Sequence, residues 1–377
     1  MKKLISILVA FAMMASLAVC MAFAEGENYA AKTFTLTKEL QMPTGTKTPA
    51  KTFNYLIEPV QGETAANTPA ATTTAISFTS EETPTTKSLT AAQVFGGTYA
   101  PGKYVYTIKE VDASADNTDE QTFTFDKTQY KVNIYVDANN NKTYTLYERE
   151  GEDGTWSKTP AEGTGDNTAV DAEFENTYVK TTKVTPNGDK DDPSNDSAGY
   201  SFEKFIENDA GGLYTDKNWT FTVTFDIPEL SKKDGYNYEI WTVGTPGENG
   251  TATKVSGPTK LTSGQTITLK AGQRAVFTDL DVGAKVNVKE ADTDNITEGA
   301  TLKVGTAAPA EYAILTGADT SINEGVGNYL KVTNTSTQNT QPEGILISNL
   351  PYIVLALVAI GGLVAYVVVR RRNADEA

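Results

Sequence analysis

Apolar and polar residues alternate along several stretches of this chain, with the two-residue period of a β-strand. The alternation is clearest from Tyr130 to Val136 and from Trp219 to Ile227. Turn residues such as Gly, Asn and Asp separate these runs, and no long run has the period of an amphipathic helix. The pattern therefore predicts an all-β fold built of β-sandwich domains.

In the first half of the chain, three polar residues interrupt the rows that strands would turn towards the core. The three residues are Lys38, Glu110 and Asn176. Each would lie on the same face of its strand as apolar neighbours at even spacing: Phe34, Leu36 and Leu40 for Lys38; Tyr104, Tyr106 and Ile108 for Glu110; Phe174 and Tyr178 for Asn176. For any one of them, a simpler explanation is a solvated strand end or a lysine that reaches out to water.

The second half of the chain repeats the same order of polar residues at a similar overall spacing. The three residues are Lys204, Glu290 and Asn334. Their apolar neighbours on the same face of the strand are Tyr200, Phe202 and Ile206 for Lys204; Val286 and Val288 for Glu290; Leu330 and Val332 for Asn334. Burying a lysine, a glutamate or an asparagine costs free energy unless the buried groups satisfy one another. Two ordered trios therefore predict that each trio meets inside its own domain.

Such a trio has a definite chemistry. Burial lowers the pKa of a lysine and raises that of a glutamate, which favours a neutral amine beside a neutral carboxylic acid. The amine is a nucleophile, the asparagine carboxamide is its electrophile, and the acid can polarise the carbonyl and pass a proton to departing ammonia. The expected product is an intramolecular Lys–Asn isopeptide bond. Folding supplies the proximity, so no cofactor is expected.

The amino-terminal stretch has the features of a secretory signal peptide. Lys2 and Lys3 precede an apolar run, and Ala22-Phe23-Ala24 fits a cleavage site between Ala24 and Glu25. A lipoprotein signal at Cys20 is the alternative, but Val19 stands where a small residue is expected. The protein is therefore expected to be exported.

The carboxyl-terminal stretch predicts a membrane span. Residues Ile345 to Val369 are apolar over a length that crosses a bilayer, and Arg370 to Arg372 follow, which places the short tail in the cytoplasm. The preceding Gln341-Pro342-Glu343-Gly344 resembles an LPxTG-type sorting motif, although it lacks the Leu and Thr. Covalent attachment to the cell wall by a sortase is predicted, and a permanent membrane anchor is the alternative.

Composition narrows the chemistry further. The chain has no histidine, and its single cysteine, Cys20, lies in the signal peptide, which argues against disulfides, zinc sites and His- or Cys-based catalysis. The net charge of -16 argues against a nucleic-acid partner. Residues Asp137 to Glu148 resemble a calcium loop, but Lys142 replaces the required glycine, so a hairpin turn is favoured and no metal is expected.

The motifs TLTKEL, FNYLIEPV, YTIKE, YKVNIYVD and AEFENTY resemble those of Gram-positive pilins and adhesins built from isopeptide-linked immunoglobulin-like domains, as in the streptococcal T-antigen major pilin family. The second half is more divergent but keeps FEKFIEN, NVKE and KVTN. The resemblance implies Lys38–Asn176 and Lys204–Asn334 bonds. It also implies that Glu110 and Glu290 act as the catalytic acids.

The expected layout has seven parts. They are a signal peptide (1–24), a first isopeptide-linked sandwich (25–179), a linker (180–199), a second sandwich (200–335), a spacer with the sorting-like motif (336–344), a transmembrane segment (345–369) and a basic tail (370–377). The expected function is a surface-anchored pilin subunit or adhesive stalk. The alternative is a membrane-anchored adhesin or glycan-binding protein that does not polymerise.

The expected partners are a sortase, other pilin subunits and a surface ligand whose identity the sequence does not reveal. Polymerisation would need an acceptor lysine, and Lys183, Lys180 and Lys158 are equal candidates. An enzyme is not expected. A glycosidase, for example, would need two carboxylates in one cleft, whereas Glu110 and Glu290 belong to separate domains.

Overall fold

The computed structural model describes residues 29–65, 69, 72–81, 83, 85–182, 199–209, 212, 214–243, 252–292, 294–337, 355 and 358–368. Several predicted features lie outside these residues. They are the signal peptide with its cleavage site at Ala24 and Glu25, residues 183–198 of the predicted linker, the motif Gln341 to Gly344 and the basic tail 370–377.

The first block of the chain is a succession of strands. They are β1 (Thr33–Gln41), β2 (Lys51–Pro59), β3 (Thr72–Phe78), β4 (Thr86–Thr90), β5 (Gly102–Glu110), β6 (Gln121–Thr124), β7 (Thr128–Val136), β8 (Lys142–Glu150), β9 (Ser157–Thr159) and β10 (Ala169–Lys180). A five-residue helix, α1 (Ala91–Phe95), follows β4, and short 3₁₀ turns occur at Ser114–Asp116 and Gly165–Asn167.

Two sheets of the first block share one core. One sheet has the strand order β4-β1-β10-β6 and the other β3-β2-β5-β7-β8-β9. Buried side chains of both sheets, such as Leu36 and Phe174 on one and Tyr55 and Ile108 on the other, belong to the same hydrophobic cluster. The first and last strands, β1 and β10, are neighbours and run parallel.

The second block is built in the same way. Its strands are β11 (Gly199–Glu207), β12 (Trp219–Asp226), β13 (Tyr236–Thr242), β14 (Thr253–Leu261), β15 (Thr266–Leu269), β16 (Gln273–Phe277), β17 (Lys285–Glu290), β18 (Ile296–Val304), β19 (Ala310–Glu311), β20 (Thr320–Ser321) and β21 (Gly327–Ser336). The sheet orders are β14-β13-β16-β11-β21-β18-β19 and β15-β12-β17-β20. Again the first and last strands, β11 and β21, pair in parallel.

The predicted all-β class is confirmed, and so are the strands on which the prediction rested. The alternating run from Tyr130 lies in β7, and the run from Trp219 lies in β12. Residues 137–141 of the calcium-like segment form the turn of the β7–β8 hairpin, and residues 142–148 lie in β8. The Asp137 carboxylate accepts hydrogen bonds from the backbone N–H groups of Asn139 and Asn141, each at 2.8 Å, and so closes the turn on itself.

Two residues near the start of the predicted linker are buried. Lys180 ends β10, and Thr181 and Thr182 are buried against the second block. The fully buried Asp281 accepts a hydrogen bond from Thr181 Oγ1 at 2.9 Å, and Lys233 Nζ lies 2.8 Å from the same carboxylate oxygen. These contacts satisfy a charge that would otherwise be costly to bury, and they fix the point where β10 leaves the first block.

Near the carboxyl terminus, residues 358–368 are helical and exposed. Over the part of the chain that the structure describes, no helix combines the length and the apolar character needed to cross a membrane. Much of the predicted span from Ile345 to Val369 lies outside that part, so the span stays a prediction.

Candidate functional site

The parallel register of the first block places two of the predicted polar residues on one face of a sheet. Lys38 on β1 stands opposite Phe174 on β10, and Asn176 stands opposite Leu40. A two-residue offset preserves the side of the sheet, so both polar side chains point inward. Glu110, the last residue of β5, belongs to the facing sheet. The two layers therefore bring the trio together from three separate strands.

The three side chains meet through the glutamate. Lys38 Nζ donates to Glu110 Oε2 at 3.1 Å, and Asn176 Nδ2 donates to Glu110 Oε1 at 3.0 Å. Lys38 and Asn176 are completely buried, and the Glu110 side chain is closed to solvent. The Phe53 ring lies beneath the amine, with 4.9 Å between Nζ and the ring centre. The site is thus a dry pocket that holds an amine, a carboxyl group and a carboxamide.

Burial changes the acid–base properties of this pair. It lowers the pKa of the Lys38 amine, because desolvation penalises the ammonium form more than the Glu110 charge favours it. It raises the pKa of the Glu110 carboxyl, because desolvation outweighs the attraction of Lys38. Both shifts favour the neutral amine and the neutral acid, which are the forms that amide chemistry requires.

The second block repeats the arrangement with the same register. Lys204 on β11 stands opposite Val332, and Asn334 on β21 stands opposite Ile206. Glu290 is again the last residue of a strand, β17, in the facing sheet. The three residues are 0 %, 0 % and 4 % exposed, in the order Lys204, Asn334 and Glu290, so this site is as dry as the first.

The contacts in the second site converge on one oxygen. Asn334 Nδ2 donates to Glu290 Oε1 at 3.0 Å, and Lys204 Nζ lies 2.8 Å from the same atom, at angles outside those of a hydrogen bond. The Trp219 ring takes the place that Phe53 has in the first site, with its centre 4.4 Å from Lys204 Nζ. Burial lowers the pKa of Lys204 and raises that of Glu290, as in the first block.

Asp126 is a contact of the first site that sequence reasoning missed. Its backbone N–H donates to Asn176 Oδ1 at 2.8 Å. A backbone donor leaves no mark in the sequence, because every residue except proline carries one. In the second site, Asn334 Oδ1 and Glu290 Oε2 have no hydrogen-bond partner among the described residues.

The pKa shifts lead to a testable pH profile for isopeptide formation. Below the pKa of the acid, Glu110 already holds a proton and cannot take one from the Lys38 ammonium, so no neutral amine forms. Above the pKa of the amine, no acidic proton remains for the leaving ammonia. Formation of the Lys38–Asn176 bond during refolding is therefore expected to follow a bell-shaped pH dependence. Mass measurement of samples refolded at a series of pH values tests this. A rate that keeps rising with pH would contradict the role given to Glu110.

The remaining predicted site residues are scattered. Lys180 forms an ion pair with Glu324 at 3.1 Å, Lys158 Nζ lies 4.5 Å from the centre of the Tyr29 ring, and Lys183 lies outside the described residues. Burial lowers the pKa of Lys158. The motif Gln341 to Gly344 also lies outside the described residues. Across the described ranges, no three acidic or His/Cys side chains are grouped as metal ligands.

Comparison with known families matches both blocks. Residues 34–179 match the family FctA, described as a Spy0128-like isopeptide containing domain. Residues 201–336 match a domain of unknown function, DUF7601. The first match confirms the resemblance to Gram-positive pilins with isopeptide domains, and it covers the whole of the first trio. No curated protein sequence matches the chain.

Among solved structures, the chain is similar to the major pilin protein T-13 of Streptococcus pyogenes. The identity is 20 %, the match covers 82 % of this chain and 99 % of that one, and the TM-score is 0.32. A second Streptococcus pyogenes major pilin has 18 % identity, coverage of 81 % and 99 %, and a TM-score of 0.33. A pilus-presented adhesin, Spy0125, has 13 % identity, coverage of 51 % and 35 %, and a TM-score of 0.24.

Proposed function

We propose that this chain, whose first block is a Spy0128-like isopeptide containing domain, is a pilin subunit or adhesive stalk on the surface of a Gram-positive bacterium. Each of its two blocks is an immunoglobulin-like sandwich that joins its own Lys and Asn once, without turnover, so the protein is not an enzyme. The observation that carries the proposal is the repeated burial of Lys, Glu and Asn in one register. Burying these three polar side chains costs free energy unless they react with one another or satisfy one another by hydrogen bonds.

The reaction uses only groups that the fold brings together. A proton passes from Lys38 Nζ to Glu110, and the neutral amine attacks the side-chain carbonyl carbon of Asn176. The amide nitrogen then takes the glutamate's proton and leaves as ammonia, while the glutamate recovers a proton from the new amide nitrogen. One C–N bond forms and one breaks. Lys204, Glu290 and Asn334 carry out the same sequence in the second block.

The position of each bond suits a load-bearing protein. Lys38 and Asn176 lie on the first and last strands of their block, and so do Lys204 and Asn334. A covalent link between neighbouring terminal strands lets tension pass from one end of the block to the other without crossing its interior. This supports a stalk function more than it supports a glycan-binding module, for which no such link is needed.

The proposed place of the protein is the cell wall. The signal peptide would export it, the apolar segment from Ile345 would hold it at the membrane, and a sortase would cleave near Gln341 to Gly344. If subunits are joined to one another, an exposed lysine must accept the cleaved end. Other copies of the chain, or related pilins, would then be its direct partners.

Polymerisation gives a second testable prediction. Wall extracts of cells that express the protein are expected to show a ladder of covalent multimers on denaturing gels. Lys158→Arg, Lys180→Arg and Lys183→Arg should each be compared with the natural chain, because arginine keeps the charge but not the nucleophilic amine. Collapse of the ladder in one variant would identify the acceptor. A single anchored band in the natural chain would favour the monomeric adhesin instead.

A further inference from the structure

We infer that the backbone N–H of Asp126 stabilises the oxyanion in the first site. We also infer that the second bond forms more slowly, because the described part of the second site offers no such donor. This inference rests on the proposed isopeptide chemistry. It adds a catalytic group that is not a side chain, and it predicts a difference between two sites that share the same Lys, Glu and Asn.

The Asp126 N–H is held firmly in place. It lies 2.8 Å from Asn176 Oδ1. The Asp126 carboxylate accepts the N–H of Thr128 at 2.8 Å and the N–H of Glu175 at 2.9 Å. Because Glu175 is the neighbour of Asn176 on β10, its hydrogen bond to Asp126 ties the loop between β6 and β7 to the strand that carries the electrophile. The donor is therefore in position before the reaction starts, which is the condition for effective stabilisation of developing charge.

This contact also fixes the orientation of the asparagine amide. A backbone N–H can only donate, so the atom beside Asp126 must be the oxygen Oδ1. The nitrogen Nδ2 then faces Glu110 Oε1 at 3.0 Å. The tasks that sequence reasoning gave to the glutamate alone are thus divided. Asp126 N–H polarises the carbonyl, and Glu110 exchanges protons with the attacking amine and the leaving ammonia.

The electron and proton balance follows from this geometry. When Lys38 Nζ bonds to the Asn176 carbonyl carbon, the carbonyl electron pair moves to Oδ1, and the Asp126 N–H stabilises that negative charge. When this electron pair returns from Oδ1 to re-form the carbonyl, the bond from the carbonyl carbon to Nδ2 breaks. Nδ2 then leaves as ammonia with the proton from Glu110. Glu110 takes up the proton that the Lys38 nitrogen releases, so the carboxylic acid is restored.

The second site has no equivalent of this donor in the part of the chain that the structure describes. Asn334 Oδ1 is buried without a hydrogen-bond partner among the described residues, while Asn334 Nδ2 and Lys204 Nζ both contact Glu290 Oε1. An oxyanion formed on Asn334 would face a dry site in which no described residue donates to it. Removing one oxyanion donor from an enzyme slows its reaction by about 10²–10³-fold. We expect the Lys204–Asn334 bond to form more slowly than the Lys38–Asn176 bond by a factor of that order.

The test follows both bonds in the same molecules. Full-length chain prepared denatured and unreacted is refolded, quenched with acid at a series of times and digested, and the two cross-linked peptides are quantified by mass spectrometry. The expected result is early joining of the Lys38 and Asn176 peptides and late joining of the Lys204 and Asn334 peptides. Equal rates would overturn the inference. No joining at either site would instead overturn the proposed function.

A backbone substitution tests the donor itself. Incorporation of the α-hydroxy analogue of aspartate at position 126 replaces the N–H by an ester oxygen and leaves the carboxylate in place. The first bond is expected to form about 10²–10³-fold more slowly, with the second bond unchanged as an internal reference for folding. The matched control is Asp126→Ala, which keeps the N–H and removes the carboxylate, and it should slow the first bond less than the ester does. An ester variant that reacts at the natural rate would refute the inference.

Discussion

Replacement of Glu110 by glutamine is expected to leave Lys38 and Asn176 unjoined and to return about 17 Da, the mass of one ammonia, to the chain. Glutamine fills nearly the same volume but can neither take the proton of the amine nor give one to the leaving ammonia. The intact mass of the purified extracellular region measures the effect directly. The natural protein should be about 34 Da lighter than its sequence requires, and the variant about 17 Da lighter.

Two controls accompany this measurement. Glu290→Gln should restore the mass of one ammonia, because the bond of the second block does not form. The variant with both Glu110→Gln and Glu290→Gln should have the full mass of its sequence. Glu203→Gln is the matched control, because Glu203 is also buried in β11 but pairs with Arg274 at 2.8 Å, outside the Lys204 site. It should keep both bonds. A natural protein with the full sequence mass would refute the proposed chemistry, and a Glu110→Gln variant that still loses two ammonias would refute the role of Glu110.

The second large effect is on stability. Asn176→Ala removes the proposed electrophile, so the first block would fold without the proposed cross-link. A link that closes a loop as long as the one from Lys38 to Asn176 stabilises the folded state by about 4–5 kcal/mol through the entropy of the unfolded chain, by analogy with a disulfide. For a domain of this size the loss corresponds to a fall of about 10–20 °C in Tm. Calorimetry should show one transition shifted by that amount, with the transition of the second block nearly unchanged.

A control must separate the lost bond from the loss of a buried amide. Asn133→Ala serves this purpose, because Asn133 is 4 % exposed and its side-chain amide donates to Thr145 Oγ1 at 3.1 Å. It should cost about 1–3 kcal/mol, the penalty for the unpaired partner. If Asn176→Ala cost no more than Asn133→Ala, the cross-link would not be a major source of stability. Resistance to protease should follow the same order as Tm.

Sequence alone was sufficient to predict which side chains of β1, β5 and β10 face the core. The two-residue period assigns each side chain to a face whatever the partner strand is, which is why Lys38 and Asn176 could be placed in the core before their neighbours were known. Chain order and spacing then identified the second trio. The same reasoning could not give the parallel pairing of β1 with β10, because alternation says nothing about which distant strand lies alongside.

Other features were beyond the reach of sequence patterns for clear physical reasons. The Asp126 N–H acts through a backbone atom, and only its distance from Asn176 Oδ1 distinguishes it from any other amide. Thr181 belongs to the stretch 180–199 that was predicted to be a linker. It is buried because Asp281, far along the chain, accepts its hydroxyl proton in a hydrogen bond. Both features depend on contacts between distant segments.

The two-residue offset between lysine and asparagine on neighbouring parallel strands has a consequence for quality control during folding. A slip of β10 by one residue against β1 would turn Asn176 to the outer face, away from Lys38, and no bond could form. Because the proposed bond, once made, would not be reversed by unfolding, each molecule would keep a permanent chemical record that its first and last strands met in the correct register. A population of chains could then be sorted by mass into those that folded correctly at least once and those that never did.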